Sequence, residues 1–255
     1  MLLILAPSKT QTFNGRDFPL YFQPLFPDKT EFLVNQLQTM SKDELATILK
    51  TSRKLTETTY ERIHSFELPL QKGHVHQAFF TFQGDVYSGI AAESYSKSQL
   101  LYCQDHIFIL SGLYGILRPL DLMHPYRLEM GTKLATSRGK NLYHFWSDTI
   151  TEEINRTLKD TGSTTVVNLA STEYSRTILK KKLRGKRVDV VFQQKKNSVY
   201  KTIPIHSKRA RGYMTHFVIN NAIEKAEDLK KFDLEGYRFH SRDSTELCWV
   251  FRQSK

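Results

Sequence analysis

Three apolar runs in this chain end in small, polar residues of the kind that hold anions. Residues 2–6 lead into Pro7-Ser8-Lys9-Thr10, and residues 106–110 into Ser111-Gly112-Leu113-Tyr114-Gly115. Residues 164–169 end in Asn168-Leu169-Ala170-Ser171-Thr172-Glu173-Tyr174. Small side chains let backbone N–H groups approach a phosphate, and Lys9 adds charge. If the three runs are parallel strands, their carboxyl ends share one sheet edge, where open α/β sheets bind ligands. Ser8, Ser111, Asn168 and Ser171, with Asp85 and Tyr87 from QGDVYSG, are then the residues expected to line a pocket. None of the ends is a Walker loop or a dinucleotide fingerprint, and tight turns capping helices share their composition. No nucleophile or base is assignable. Ser171 lacks a GxSxG context, and Cys103, behind Leu100, Leu101 and Tyr102, reads as a small core residue.

The stretch SGLYGILRPLDLMHPYRLEMG, residues 111–131, packs three glycines, two prolines, two tyrosines and four charged residues into twenty-one positions. Neither helix nor strand periodicity survives that mixture, and such density belongs in an ordered loop that touches something. Arg118 and Arg127, flanked by Tyr114 and Tyr126, suit stacking and hydrogen bonding to a base or phosphate. Asp121 and Glu129 equally allow the loop to brace itself, since buried charges need partners.

Charge narrows the choice of partner. The 255 residues carry a formal +11, and residues 176–211 hold thirteen Lys/Arg against the single acid Asp189, a local net of +12. A concentrated positive surface favours polyanions, although a solvated lysine-rich face has the same composition. Lys180, Lys181 and Lys182 fall in this window, as does SKRARG. With Ser207 as an N-cap, Lys208, Arg209 and Arg211 sit in a helix's first turn. Cations there oppose the helix dipole by ~0.3–1 kcal/mol each. An anion at that helix end would account for them. Lys50, Arg53 and Lys54 lie between two short helices in what looks like a helix-hairpin-helix, which grips a nucleic-acid backbone through amides; an ordinary αα-hairpin is the alternative.

The elements that must position these residues follow from pattern. Asp28-Lys-Thr-Glu31 and Ser41-Lys-Asp-Glu44 have capping-box spacing ahead of apolar periodicity. Asn141 caps a helix carrying Phe145, Trp146, Ile150 and Ile154, and residues 173–183 read as helical. Residues 187–192 and 199–206 read as an antiparallel pair, residues 207–229 as a long helix, and residues 237–240 and 247–252 as strands. The expected fold is α+β, a central mixed sheet flanked by helices. Residues 1–255 form a single domain with a helical excursion at 28–70. No apolar run approaches the ~20 residues of a membrane span. The opening MLLILAPSKT has neither the length nor the cationic leader of a secretory signal. Cys103 and Cys248 cannot frame a disulfide scaffold, so a reducing cytoplasm is the expected home. His74 and His76 have no partner at metal-ligand spacing, and neither metal nor cofactor is expected.

SGLYGILRPLDLMHPYRLEMGTKL, with QGDVYSG, LYHFW, NLASTEY and SKRARGYM, resembles the YaaA family of bacterial peroxide-stress proteins over essentially the whole chain. The resemblance implies resistance to hydrogen peroxide through limiting unincorporated intracellular iron. It also implies DNA binding through a helix-hairpin-helix and a positively charged cleft. On this sequence the hairpin maps to Lys50, Arg53 and Lys54, and candidate cleft cations to Lys208, Arg209 and Arg211. Apart from the resemblance, Lys9, Arg118, Arg127, Lys133 and Lys180–Lys182 are further candidate phosphate contacts. Duplex or bulged DNA is the expected partner. An enzyme acting on a nucleotide or nucleobase in the strand-end pocket is the alternative.

Overall fold

In the computed structural model, residues 1–16, 18–71, 73 and 75–253 are described. The first half of the chain contains β1 (Leu2–Leu5), α1 (Pro27–Gln38), α2 (Lys42–Leu49), α3 (Arg53–His64), β2 (His76–Gln77), α4 (Ala78–Thr81), α5 (Asp85–Ile90), α6 (Lys97–His106), β3 (Ile107–Ser111), β4 (Gly115–Leu117) and β5 (Leu122–Met123). The second half adds α7 (Leu142–Asp160), β6 (Thr165–Asn168), α8 (Thr172–Ser175), β7 (Lys186–Lys196), β8 (Val199–Lys201), α9 (Pro204–Asn220), β9 (Tyr237–Phe239) and β10 (Cys248–Gln253).

A mixed sheet runs β4-β3-β1-β6-β7-β10-β9, with β8 on the far end of β7. β3, β1, β6, β7 and β10 are mutually parallel, while β4, β8 and β9 pair antiparallel. All four residues of β1 are buried, as a strand covered on both faces must be. The three polar strand ends therefore do share one edge. The chain also leaves β1 toward β3 on one side and returns to β6 on the other. That makes β1 a topological switch point, the place where such sheets open a crevice.

Several local expectations shift. α1 begins at Pro27 behind Phe26, without a side-chain cap, so Asp28 lies in its first turn rather than capping it; proline's fixed φ suits that first position. α2 has the full capping box expected of Ser41 and Glu44, and Asn141 caps α7 through His144 N. Residues 173–183 are not one helix: α8 spans four residues and turns follow. α9 starts at Pro204, so Ser207 is a buried interior residue and Lys208, Arg209 and Arg211 fall beyond the first turn. The proline sets the start one turn earlier than the serine would.

The largest correction concerns residues 111–131, expected as an ordered loop that touches something. Most of them are buried, and they supply β4 and β5. Asp121, fully buried, accepts from Arg118 N at 2.8 Å, Arg118 Nε at 3.0 Å and Gln104 Nε2 at 3.1 Å. Tyr114 Oη accepts from His124 N at 2.9 Å. Gly112 lets the segment fold back on itself, since a Cβ there would stand 2.2 Å from Leu128 O. The segment touches its own backbone and the core, so its charges and tyrosines act first as internal braces.

Candidate functional site

At the carboxyl end of β1 lies a narrow cavity of about 70 Å³ lined by Pro7, Ser8, Lys9, Gln11, Tyr126, Arg127, Glu129 and Tyr174. It is built from the loop after β1, α8 after β6, and the segment after β5, a strand that pairs with β2 outside the main sheet. It adjoins a cleft of about 430 Å³ between the end of α2 and residues 129–133, lined among others by Lys9, Lys50, Lys133, Glu129 and Glu173. Lys9, Glu129 and Glu173 belong to both. Glu173 Oε1 accepts from Gly131 N at 2.8 Å, which ties α8 to the cleft wall. Gln11 clasps Tyr126 from both sides, donating to its carbonyl at 2.9 Å and accepting from its N–H at 3.0 Å.

Three tyrosines sit under this edge. Tyr87 donates to Ala6 O at 2.9 Å, and Tyr126 shares a 2.8 Å hydrogen bond with Ser111 Oγ. Burial, and secondarily their mutual proximity, pushes the phenols of Tyr87 and Tyr174 upward; burial does the same for Tyr126, against the pull of Ser111. All three stay neutral at physiological pH. They are apolar walls with a polar tip rather than anions.

Charge is partly balanced within the site. Glu129 Oε1 lies 3.2 Å from Lys9 Nζ and 3.3 Å from Arg127 Nη2. Asp85, opening α5 beside the Gly84 backbone that borders Ser8 Oγ, lies 3.7 Å from Arg209 Nε. α9 reaches α5 at Gly212, where a Cβ would stand 2.0 Å from Val86 O. That close crossing brings SKRARG to the strand-end edge. Arg211 is largely buried there with its Nε unpaired, and desolvation lowers its pKa.

The structure thus brings together Ser8, Lys9, Asp85, Tyr87, Tyr126, Arg127 and Arg209, with Lys50 and Lys133 across the cleft. Ser111 and Tyr114 lie beneath as supports. Asn168 Nδ2 donates to Asp189 at 2.7 Å while its Oδ1 accepts from Ala170 N at 3.0 Å, which shapes the turn into α8. Ser171 is the residue before α8 and makes no side-chain cap. Arg118 lines neither cavity; its guanidinium lies over Phe22 and pairs with Asp121. Arg53 and Lys54 open α3 at the surface. Lys180 and Lys181 are exposed, and Lys182 pairs with Asp148. Gln11, Glu173 and Tyr174 were not singled out in the sequence. Glu173 and Tyr174 stood inside NLASTEY, whereas nothing local marks Gln11.

Beyond the cleft, the β7–β8 hairpin turns through Asn197 and Ser198 at φ 50° and 65°, and residues 195–199 are exposed. Lys195, Lys196 and Lys201 make no ion pair among the described residues. Lys186 and Arg187, lower on the same strand, pair with Glu246 and Asp189. His74 lies outside the described residues. His76 Nδ1 accepts from Gln77 N at 3.1 Å, and among the described residues no three His, Cys, Asp or Glu side chains gather around a metal position. No helix among them is long and apolar enough to cross a membrane.

The family described as peroxide stress protein YaaA matches residues 1–243. The chain belongs to this family. Similar proteins include a UPF0246 protein of Desulfotalea psychrophila, 48% identical over 98% of this chain and 97% of its own. Others are one of Acaryochloris marina, 45% identical over 98% and 99%, and one of Neisseria gonorrhoeae, 42% identical over 100% and 99%. Membership supports a role in the peroxide stress response.

Proposed function

We propose that this peroxide stress protein acts on DNA, held by the strand-end cleft and the β7–β8 hairpin. The observation that carries this reading is a set of exposed lysines that make no ion pair among the described residues: Lys50 and Lys133 at the cleft, and Lys195, Lys196, Lys201 and Lys208 along the hairpin and α9. By contrast, Lys42 pairs with Glu57 and Lys231 with Asp228. Unpaired lysines on one side of a molecule release counterions when they meet phosphates, so binding carries a steep salt dependence. The α2–α3 connection, Lys50 to Ser52, supports a backbone grip of the helix-hairpin-helix kind. The iron-limiting branch of the reading rests on the family resemblance alone.

Fluorescence anisotropy with a labelled duplex tests it. Affinity falls by about two orders of magnitude or more between roughly 50 and 200 mM salt if several phosphates are neutralised. A flat salt response removes the reading. A nucleotide- or nucleobase-directed enzyme is the second reading, and the placement of the narrow cavity at the switch point favours it. Turnover of no nucleotide or base in a purified-protein screen would set it aside.

A further inference from the structure

β7 outruns the strands beside it. β6 pairs with it up to Asn168 opposite Asp189, and β10 up to Gln253 opposite Gln194. Beyond Gln194 it continues as a two-stranded ribbon with β8, whose outer rungs are Lys195–Tyr200 and Lys196–Val199. Asn197 and Ser198, both at positive φ, close the ribbon in two residues, a turn that follows its natural twist. Residues 195–199 are exposed. Residues 190–223 contain no Asp or Glu, and Lys195, Lys196 and Lys201 make no ion pair among the described residues.

The ribbon is braced on one side only. Directly opposite residues of a strand pair share a face, and successive residues alternate between faces. Tyr200 therefore shares a face with Lys195 and Gln193. The Arg252 guanidinium lies 4.3 Å from the Tyr200 ring centre, and it is fixed by Gln193 Oε1 at 3.1 Å and Asp243 Oδ2 at 2.6 Å. Lys196, Val199 and Lys201 occupy the other face. Lys195 and Lys196 thus leave one tip in opposite directions.

That divergence selects the partner. A flat anionic surface such as a bilayer meets one face of a ribbon, whereas two anionic walls meet both. Paired strands lie about 4.8 Å apart. With side chains added, such a ribbon suits the ~12 Å major groove of B-form DNA and not the ~6 Å minor groove. Two rungs at about 3.4 Å each, with the turn, reach roughly the ~8.5 Å depth of that groove. We propose that the β7–β8 ribbon enters the major groove of duplex DNA end-on, with Lys195 and Lys196 reaching phosphates of opposite strands. Val199, half-exposed beside Lys196, then meets the apolar methyl groups that thymines present there. The proposal rests on the DNA-binding reading and names the groove that this reading leaves open.

The test compares, by anisotropy across a salt series, a plain duplex with one whose cytosines are replaced by glucosylated 5-hydroxymethylcytosine. The sugar fills the major groove and leaves the minor groove and the phosphate charge as they were. Wild-type protein binds the filled duplex more weakly, and its log–log salt dependence flattens by about 1.8, the loss of two phosphate contacts. Lys195→Ala with Lys196→Ala, at two exposed positions and checked for an unchanged melting transition, shows the flattened slope on the plain duplex already. Filling the groove then changes nothing further, because both changes remove the same contacts. Equal wild-type slopes on the two duplexes overturn groove entry and leave DNA binding standing. So does a variant as sensitive to the sugar as the wild type, which hands the groove to another element. If the plain duplex does not bind at all, the DNA-binding reading falls and the ribbon proposal with it. Attachment to phosphatidylglycerol vesicles, lost in the same variant, would then assign the tip to an anionic membrane.

Discussion

The segment 111–131 and the β7–β8 hairpin both combine cations with glycine-like turns and apolar residues, yet they end in opposite environments. In the first, Arg118 turns inward onto a fully buried Asp121, and Arg127 is shared with Glu129. In the second, Lys195, Lys196 and Lys201 face solvent and make no ion pair among the described residues, beside a half-exposed Val199. The difference teaches what each can do. A cation already committed to a buried carboxylate holds a site in shape, because withdrawing it strands the partner. A cation left in water binds weakly and non-specifically, through counterion release. On the proposed DNA-binding reading, shape and choice of ligand belong to the strand-end cleft, and general affinity to the hairpin.

Breaking the braced side gives the largest effect. Arg118→Met leaves the Asp121 carboxylate unpaired in the core and lowers unfolding free energy by about 3–5 kcal/mol, read by denaturant titration. Duplex affinity, measured well below the transition, stays unchanged. Burial already pushes the Asp121 carboxyl above the ordinary aspartate value of 3.8, against the pull of Arg118. The deficit of the variant is therefore smallest near and below that value, where folded and unfolded chains are both protonated, and grows as pH rises through the raised folded pKa. A deficit that is flat or inverted with pH would return Arg118 to the ligand-contacting group.

Charge reversal of the hairpin comes next. Lys195→Glu, Lys196→Glu and Lys201→Glu together shift stability by no more than about 0.5 kcal/mol. They flatten the log–log salt dependence of duplex binding by about 2.7 if each lysine meets one phosphate. Lys50→Ala with Lys133→Ala flattens it by about 1.8 on the same basis. An unchanged slope in that pair, beside a collapsed one in the hairpin variant, would confine phosphate contact to the hairpin.

Ser41→Ala has the smallest effect. It removes the side-chain half of the α2 cap and lowers the melting temperature by a few degrees. Glu44 is held below the ordinary carboxyl range by hydrogen bonds from Ser41 N–H and Oγ–H. The wild-type advantage is present above that ordinary range and fades as pH falls through the lowered folded pKa. Loss of duplex affinity in this variant, with the helix otherwise folded, would make the rigidity of the α2 end part of the binding surface.

How much was legible follows from the reach of each interaction. Ser41 and Glu44, and Asn141 with His144, act within three residues, and each stands where the sequence places it. The apolar runs and their polar ends were legible for the same reason. Where a local signal failed, another local signal won, as Pro204 did over Ser207 and Pro27 over an Asp28 cap.

By itself, then, the sequence determined a mixed sheet whose strands end in small polar residues, a lysine-laden hairpin, and membership visible in long motifs. Only the tertiary structure decided which cations are neutralised, because Lys182 meets Asp148 and Lys186 meets Glu246 across 34 and 60 residues. It alone buried most of residues 111–131, and it alone brought Lys9, Lys50, Lys133 and Glu173 around one cleft. Charge pairing and burial depend on neighbours far along the chain, and composition within a window contains no term for them.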